Sequence, residues 1–215
     1  MPVSLPNENP AYRAARNNLL QAELALRAQT EEVAALRRAL PAGGVVAENY
    51  GFRSTSGSSV SMQELFNGHG TLAIYSLMYE PDAKAACPMC SAFLDGMRGQ
   101  VSHVQARMGF AVVAQSSPER LAALQAAKGW QELQLYSAGG TSYQRDYLAE
   151  NDRGAQLPML HVFRKTADGI RHFWGSEMFF EPSPWQPRHI DALWPMWNLF
   201  DLTPEGRGDH MPGQG

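Results

Sequence analysis

Residues 71–79 read TLAIYSLMY, a run without a charged side chain, and the chain then passes through Glu80-Pro81-Asp82 to Cys87-Pro88-Met89-Cys90. An apolar run of this length is suited to a β-strand buried on both faces of a sheet, which requires helices packed on either side. Pro88 suits the first turn of a helix, where a missing N–H costs nothing. A buried strand leading to a helix that opens on a cysteine pair is therefore the unit around which the remainder has to fold.

The flanking segments supply the other elements. Residues 50–52 and a Ser/Gly-rich turn up to Ser59 read as a hairpin, and Ser61-Met62-Gln63-Glu64 is a capping-box pattern opening a short helix that Gly68 stops. Downstream, 91–108 has helical composition, 110–115 (FAVVAQ) is a short apolar strand, and Ser117-Pro118-Glu119 opens a helix to about Lys128. A further short strand is expected at 133–136. The polar region 137–155, with Tyr143 and Tyr147, receives no assignment. Residues 159–164 and 170–174 flank Asp168-Gly169 as an antiparallel hairpin, and 189–200 has the period of a closing helix despite Pro195.

Ahead of this domain, Asn9 reads as an N-cap and Pro10 as the first helical residue of a segment free of Gly and Pro up to Leu40, ended by Pro41 and Gly43-Gly44. Tyr12, Ala15, Leu19, Ala22, Leu26, Gln29, Val33, Leu36 and Leu40 form a stripe at three-four spacing, which only Gln29 interrupts. Two readings fit it: a coiled-coil arm that makes a homodimer, or a helix lying across its own domain. The expected organisation is an arm over 1–44 and one domain over 45–215.

Five Trp, nine Phe and 44% hydrophobic residues in 215 suffice for one globular core. A net charge of −3, with no face concentrating Lys and Arg, argues against a nucleic-acid partner. No apolar run approaches the roughly 20 residues that span a bilayer, so no membrane partner is expected. The start, MPVSLPNENP, lacks the layout of a secretory signal, and the expected compartment is the cytoplasm.

The two cysteines, the only ones, stand too close for a scaffold disulfide and at the spacing of metal or redox pairs. A helix N-terminus stabilises a thiolate at Cys87, and Cys90, one turn on, is placed to attack a mixed disulfide formed there. Cys87 is the expected nucleophile and Cys90 the resolving thiol. Zinc would want two further Cys or clustered His, and His69, His103, His161, His172, His189 and His210 show no ligand-like spacing, so no metal is expected. Glu80, Asp82 and Lys84 are assigned no catalytic role. Phe173, Trp174, Phe179, Phe180, Trp185, Trp194 and Trp197 are read as core rather than as a substrate groove.

Strand, CPMC, helix, strand, helix, then Leu157-Pro158 entering a hairpin and a last helix resembles the thioredoxin fold: α/β, with a central mixed sheet flanked by helices. More narrowly, LMYEPD, CPMCSAFLDG, Trp130 and NLFDLTPEGR are similar to an uncharacterised bacterial thioredoxin-like family, domain of unknown function family 899, over nearly the whole chain. The resemblance implies a dithiol-disulfide oxidoreductase acting on a disulfide substrate with an external thiol electron donor, and no tightly bound cofactor. It puts the redox pair on Cys87 and Cys90 and a cis-proline facing them on Pro158. Leu157 would offer backbone groups to a substrate strand, and Pro88 and Met89 complete the substrate-binding set. Ala86 stands where thioredoxins often carry Trp, and Pro-Met replaces Gly-Pro, so potential and partner do not carry over.

Two alternatives remain. In a peroxiredoxin-like thiol peroxidase, Cys87 would be oxidised to a sulfenic acid, although Pro81 stands six residues before it and Ala85 and Ala86 supply no hydroxyl. In a non-enzymatic binding module, CPMC and a distant histidine such as His161 would hold copper or zinc, although such modules usually space their cysteines more widely.

Overall fold

The computed structural model describes residues 4–182 and 188–212. The chain divides into two compact units, one ending at Pro41 and one beginning at Ala42. The first is helix α1, Pro10–Arg38; Asn9 caps it by accepting the Tyr12 N–H at 2.8 Å, and none of its residues is buried. It stops two residues short of the expected Leu40, with Arg37 and Arg38 in its last turn.

Among the described residues the second unit holds seven strands: β1 Gly51–Ser54, β2 Ser59–Ser61, β3 Thr71–Ser76, β4 Gly109–Ala114, β5 Leu135–Ser137, β6 Leu160–Thr166 and β7 Gly169–Gly175. They form one mixed sheet in the order β2-β1-β5-β4-β3-β6-β7. The apolar run becomes β3, parallel to β4 and antiparallel to β6, so that Ile74 lies beside Ala111 on one side and His161 on the other. Its alternation divides the core: Ala73 and Tyr75 join the cluster holding Phe93, Leu94, Trp130 and Trp194, while Leu72 and Ile74 join Phe52, Met62, Phe66 and Tyr143. A β-helix-β unit with parallel strands, followed by an antiparallel hairpin whose first strand pairs with β3, is a thioredoxin-like sheet, extended here by β5 and the β1–β2 hairpin.

Local signals account for most helix starts. Ser61 and Glu64 make the reciprocal capping box of α2, Met62–Leu65, and Ser117 accepts the Arg120 N–H at the start of α5, Pro118–Lys128. The helical segment after the cysteines is broken into α3, Pro88–Arg98, and α4, Val101–Gln105, with Gly99 capping the first. The short strand expected at 133–136 lies at 135–137. The closing helix expected over 189–200 is confined to α7, Pro195–Phe200, after a 3-10 turn at Asp191–Leu193. The reason is Pro195: it has no N–H for a helix arriving from upstream and forces Trp194 into extended backbone (φ −119°, ψ 90°), so it begins a helix instead of continuing one. The unassigned region contains α6, Tyr143–Asp146, whose Tyr143 is fully buried.

Both sheet edges are treated. β2 is three residues long, and the outer side of β7 is met by a strap in which Val46 N–H donates to the Ile170 carbonyl (2.9 Å), His172 N–H to the Gly44 carbonyl (3.0 Å) and the Arg171 guanidinium to the Gly43 carbonyl (2.9 Å).

Gly109 marks a close approach. A Cβ there would lie 2.5 Å from the Leu65 carbonyl oxygen at the end of α2. Gly109→Ala is expected to cost about 1–3 kcal/mol by overpacking, read as a lowered urea midpoint. An unchanged midpoint would mean that α2 moves away freely.

Candidate active site

β3 ends at Ser76, and the chain from there carries Leu77, Met78 and Tyr79 before turning into α3. The turn is tied down on both sides: Leu77 N–H donates to the Val113 carbonyl at 2.8 Å, Tyr79 N–H to Gln156 Oε1 at 2.7 Å, and Ser116 N–H to the Tyr79 carbonyl at 3.0 Å. Cys87 N–H donates to the Met78 carbonyl (2.9 Å), which fixes the N-terminus of α3 against the end of the buried strand. Glu80, Asp82 and Lys84 lie exposed on the intervening loop.

Cys87 is the N-cap residue of α3, with Pro88 as the first helical residue. Both cysteines are free thiols, Cys87 half-buried and Cys90 buried at 2% exposure. The Cys87 thiol is pulled down to about 6, first by a hydrogen bond from the Cys90 thiol, with the backbone N–H groups of Cys90 and Met89 helping and burial opposing. Cys90 is held well above the ordinary thiol range, because it donates to Cys87 and because it is buried. Two donors act the other way on its sulfur, the Tyr75 hydroxyl and the Met78 backbone N–H. The arrangement is one ionised thiol at the surface with one protonated thiol behind it.

Tyr75 lies within the apolar run 71–79 and carries no motif of its own in the sequence. It is 1% exposed, with its ring 4.8 Å from that of Phe93 on α3, and burial holds its phenol far above the ordinary value. The signal for it was present: a tyrosine inside a doubly buried strand needs a partner for its hydroxyl.

Pro158 stands two residues before β6, and the Met159 carbonyl accepts the Ser76 N–H at 2.8 Å, so Leu157 and Pro158 lie at the end of the sheet that carries the dithiol. Two expectations for this pair change. The Leu157–Pro158 bond is trans, since no cis peptide occurs among the described residues. Trans is the intrinsically favoured form, and the Met159 N–H closes a tight turn onto the Leu157 carbonyl at 3.0 Å, a geometry that the ring's fixed φ suits. The backbone groups of Leu157 are also engaged internally, its N–H donating to the Ala149 carbonyl at 2.8 Å. Pro88 is exposed and Met89 half-buried beside Cys87.

Of the aromatic group, Trp194 and Trp197 are buried, Phe173, Trp174 and Phe179 half-buried, and Phe180 is 44% exposed, while Trp185 lies outside the described residues. Away from the thiols, His161 and His172 meet at 3.0 Å (Nδ1 to Nε2). Because His161 Nε2 lies 2.7 Å from the Tyr147 carbonyl, it must carry the proton, and His161 Nδ1 accepts from His172. Burial lowers His161 to about 4, so the ring is neutral. Among the described residues no group of three or more His, Cys, Asp or Glu is arranged to hold a metal ion, and no helix is long and apolar enough to cross a membrane.

Residues 3–214 match a family described as bacterial protein of unknown function (DUF899). No curated protein matches the sequence. Among solved structures, peroxiredoxin Q of Xanthomonas campestris is similar at 14% identity over 72% of this chain and 94% of that one, with a TM-score of 0.48. Peroxidoxin BcpB of Mycobacterium tuberculosis is similar at 15% identity over 73% and 95%, TM-score 0.44. A peroxiredoxin-like protein of Aquifex aeolicus is similar at 11% identity over 63% and 75%, TM-score 0.45.

Proposed function

We propose that this chain, which belongs to the bacterial family of unknown function DUF899, is a thiol-disulfide oxidoreductase whose Cys87 attacks a disulfide and whose Cys90 resolves the product. The observation that carries the reading is the division of labour in the pair: Cys87, half-buried at a helix N-terminus, is lowered to about 6, while Cys90 stays protonated behind it. In the first step the Cys87 thiolate bonds to one substrate sulfur and the other leaves as a thiolate. In the second, Cys90 loses its proton and attacks Cys87, the remaining substrate sulfur leaves, and the enzyme is oxidised by two electrons. An external thiol returns it to the dithiol. No step calls for a bound cofactor.

Equilibration in graded redox buffers, with the thiol state read by mass after trapping, tests this. A reversible two-electron transition between about −300 and −120 mV is expected. Absence of a reversible Cys87–Cys90 disulfide would end the proposal.

A thiol peroxidase is the second reading, favoured by the same ionised and partly exposed Cys87. There the thiolate takes one peroxide oxygen to become a sulfenic acid and the alcohol departs, after which Cys90 displaces water to give the same disulfide. Rapid mixing of the reduced protein with a peroxide and, separately, with a disulfide separates the two, since the preferred oxidant reacts faster by orders of magnitude.

A further inference from the structure

Resolution faces a chemical obstacle in this site. Cys90 is 2% exposed, and in the reduced protein it is kept protonated by its hydrogen bond to Cys87 and by burial. Once Cys87 is tied into a mixed disulfide, its negative charge and its demand for the Cys90 proton disappear, but burial remains. The attacking thiolate therefore has to be formed out of water, and some group must receive its charge.

The titratable groups acting on Cys90 are Cys87, from its own helix, and Tyr75, from β3. Tyr75 is fixed by the parallel pairing with Val112, the antiparallel pairing with Leu160 and the Phe93 ring at 4.8 Å, and it shares one buried cluster with Cys90. The Tyr75 hydroxyl and the Met78 backbone N–H are the groups that favour the charged form of the Cys90 sulfur. Met78 is held in turn, because its carbonyl accepts the Cys87 N–H.

We propose that Tyr75 is a catalytic hydrogen-bond donor of the resolving step, forming with the Met78 N–H a two-donor cradle that receives the negative charge of the Cys90 sulfur as it ionises. The proposal rests on the reading of Cys87 and Cys90 as nucleophile and resolving thiol. The Cys90 proton passes to solvent and the new thiolate is held by two fixed donors. Its sulfur then bonds to that of Cys87 as the Cys87–substrate S–S bond breaks. The electron pair of that bond leaves on the substrate sulfur, the dithiol is oxidised and the substrate reduced. Tyr75 keeps its proton throughout, since burial makes its own ionisation more costly still.

The test begins with Cys87→Ala, which leaves Cys90 with no thiolate neighbour, as in the mixed disulfide. Adding Tyr75→Phe to it should raise the Cys90 titration midpoint, read by thiolate ultraviolet absorbance, by about one pH unit, a tenfold smaller thiolate fraction below the midpoint. Difluorotyrosine at position 75, a stronger donor of nearly the same shape, should move the midpoint the other way. This arm decides the matter even where the phenylalanine variant folds poorly. Superimposable curves in both comparisons would overturn the proposal.

In the two-cysteine protein, a mixed disulfide preformed at Cys87 with a small aromatic thiol should decay about tenfold more slowly in Tyr75→Phe near neutral pH, the gap closing in alkali. Equal slowing at every pH would assign Tyr75 a structural role and overturn the proposal. Failure of any mixed disulfide to form at Cys87 would instead strike the oxidoreductase reading, with the Cys90 titrations still deciding whether Tyr75 donates.

Discussion

Cys87→Ser is expected to form no mixed disulfide with a small aromatic disulfide, whereas Cys90→Ala forms one and retains it. The loss at Cys87 should be at least about a thousandfold in rate, as when a covalent mechanism loses its nucleophile. The pH dependence identifies the cause. A thiol at about 6 is mostly ionised at neutral pH, against about three hundredths for one at the ordinary 8.5, so alkylation of Cys87 in the reduced wild-type protein should be half-maximal near pH 6. The largest cause of that low value is the hydrogen bond from Cys90. Removing it in Cys90→Ala takes away stabilisation of the thiolate, so the midpoint must rise towards the ordinary range, leaving the variant slower to react near pH 7 but unable to release its product. An alkylation midpoint that does not move would show that the helix N-terminus alone ionises Cys87.

The largest stability effect is expected at Trp130. Its side chain is fully buried, its indole N–H donates to Asp95 on α3 at 2.7 Å, and its backbone N–H donates to the Gln125 carbonyl of α5 at 3.0 Å. Arg98 reaches the Lys128 and Gly129 carbonyls at 3.4 and 3.3 Å, so the end of α3 and the end of α5 are fastened at one place. Trp130→Ala should lose about 3–5 kcal/mol, a large share of the 5–15 kcal/mol that holds a typical domain together. Trp130→Phe keeps most of the packing and deprives a partly solvated carboxylate of one donor, and should lose about 1–2 kcal/mol. Urea denaturation of both variants measures this. A loss below about 1 kcal/mol for the alanine variant would mean that the core closes over the vacated volume. Asp95 lies a turn and a half beyond Cys90, so the folded fraction should keep its Cys87 alkylation midpoint.

Legibility in the sequence followed the range of the interaction concerned. The capping box at Ser61, the caps at Asn9 and Ser117 and the dithiol at the head of α3 depend on residues within four positions of one another, and each was readable. The region 137–155 was not, because what orders it is distant: Tyr50 donates to Asp146 at 2.7 Å, Ser142 to Glu48 at 2.7 Å, and Tyr143 is buried against Tyr50, Phe52 and Phe163. No local period encodes such contacts. The His161–His172 pair was hidden for a related reason. The register between β6 and β7 shifts between Val162 and Phe163, and only with that irregularity does a separation of eleven residues bring two imidazoles together. In the site itself, the nucleophile and resolving thiol could be named from spacing and helix position, whereas Tyr75 required knowledge of which face of β3 looks towards α3.

The treatment of the sheet edges bears on how this chain survives its own folding. Its central strands are apolar and parallel, a combination that forms slowly and leaves ladder groups waiting for partners. A neighbouring chain that arrived first would find three residues to pair with at β2 and, at β7, positions 170–172 already facing the 43–46 strap. The strap closes from the N-terminal side of the domain, so it is synthesised before the strand it guards and is at hand when β7 emerges. Intermolecular strand addition, the usual route from a half-folded sheet to an aggregate, is thereby offered little template on either flank.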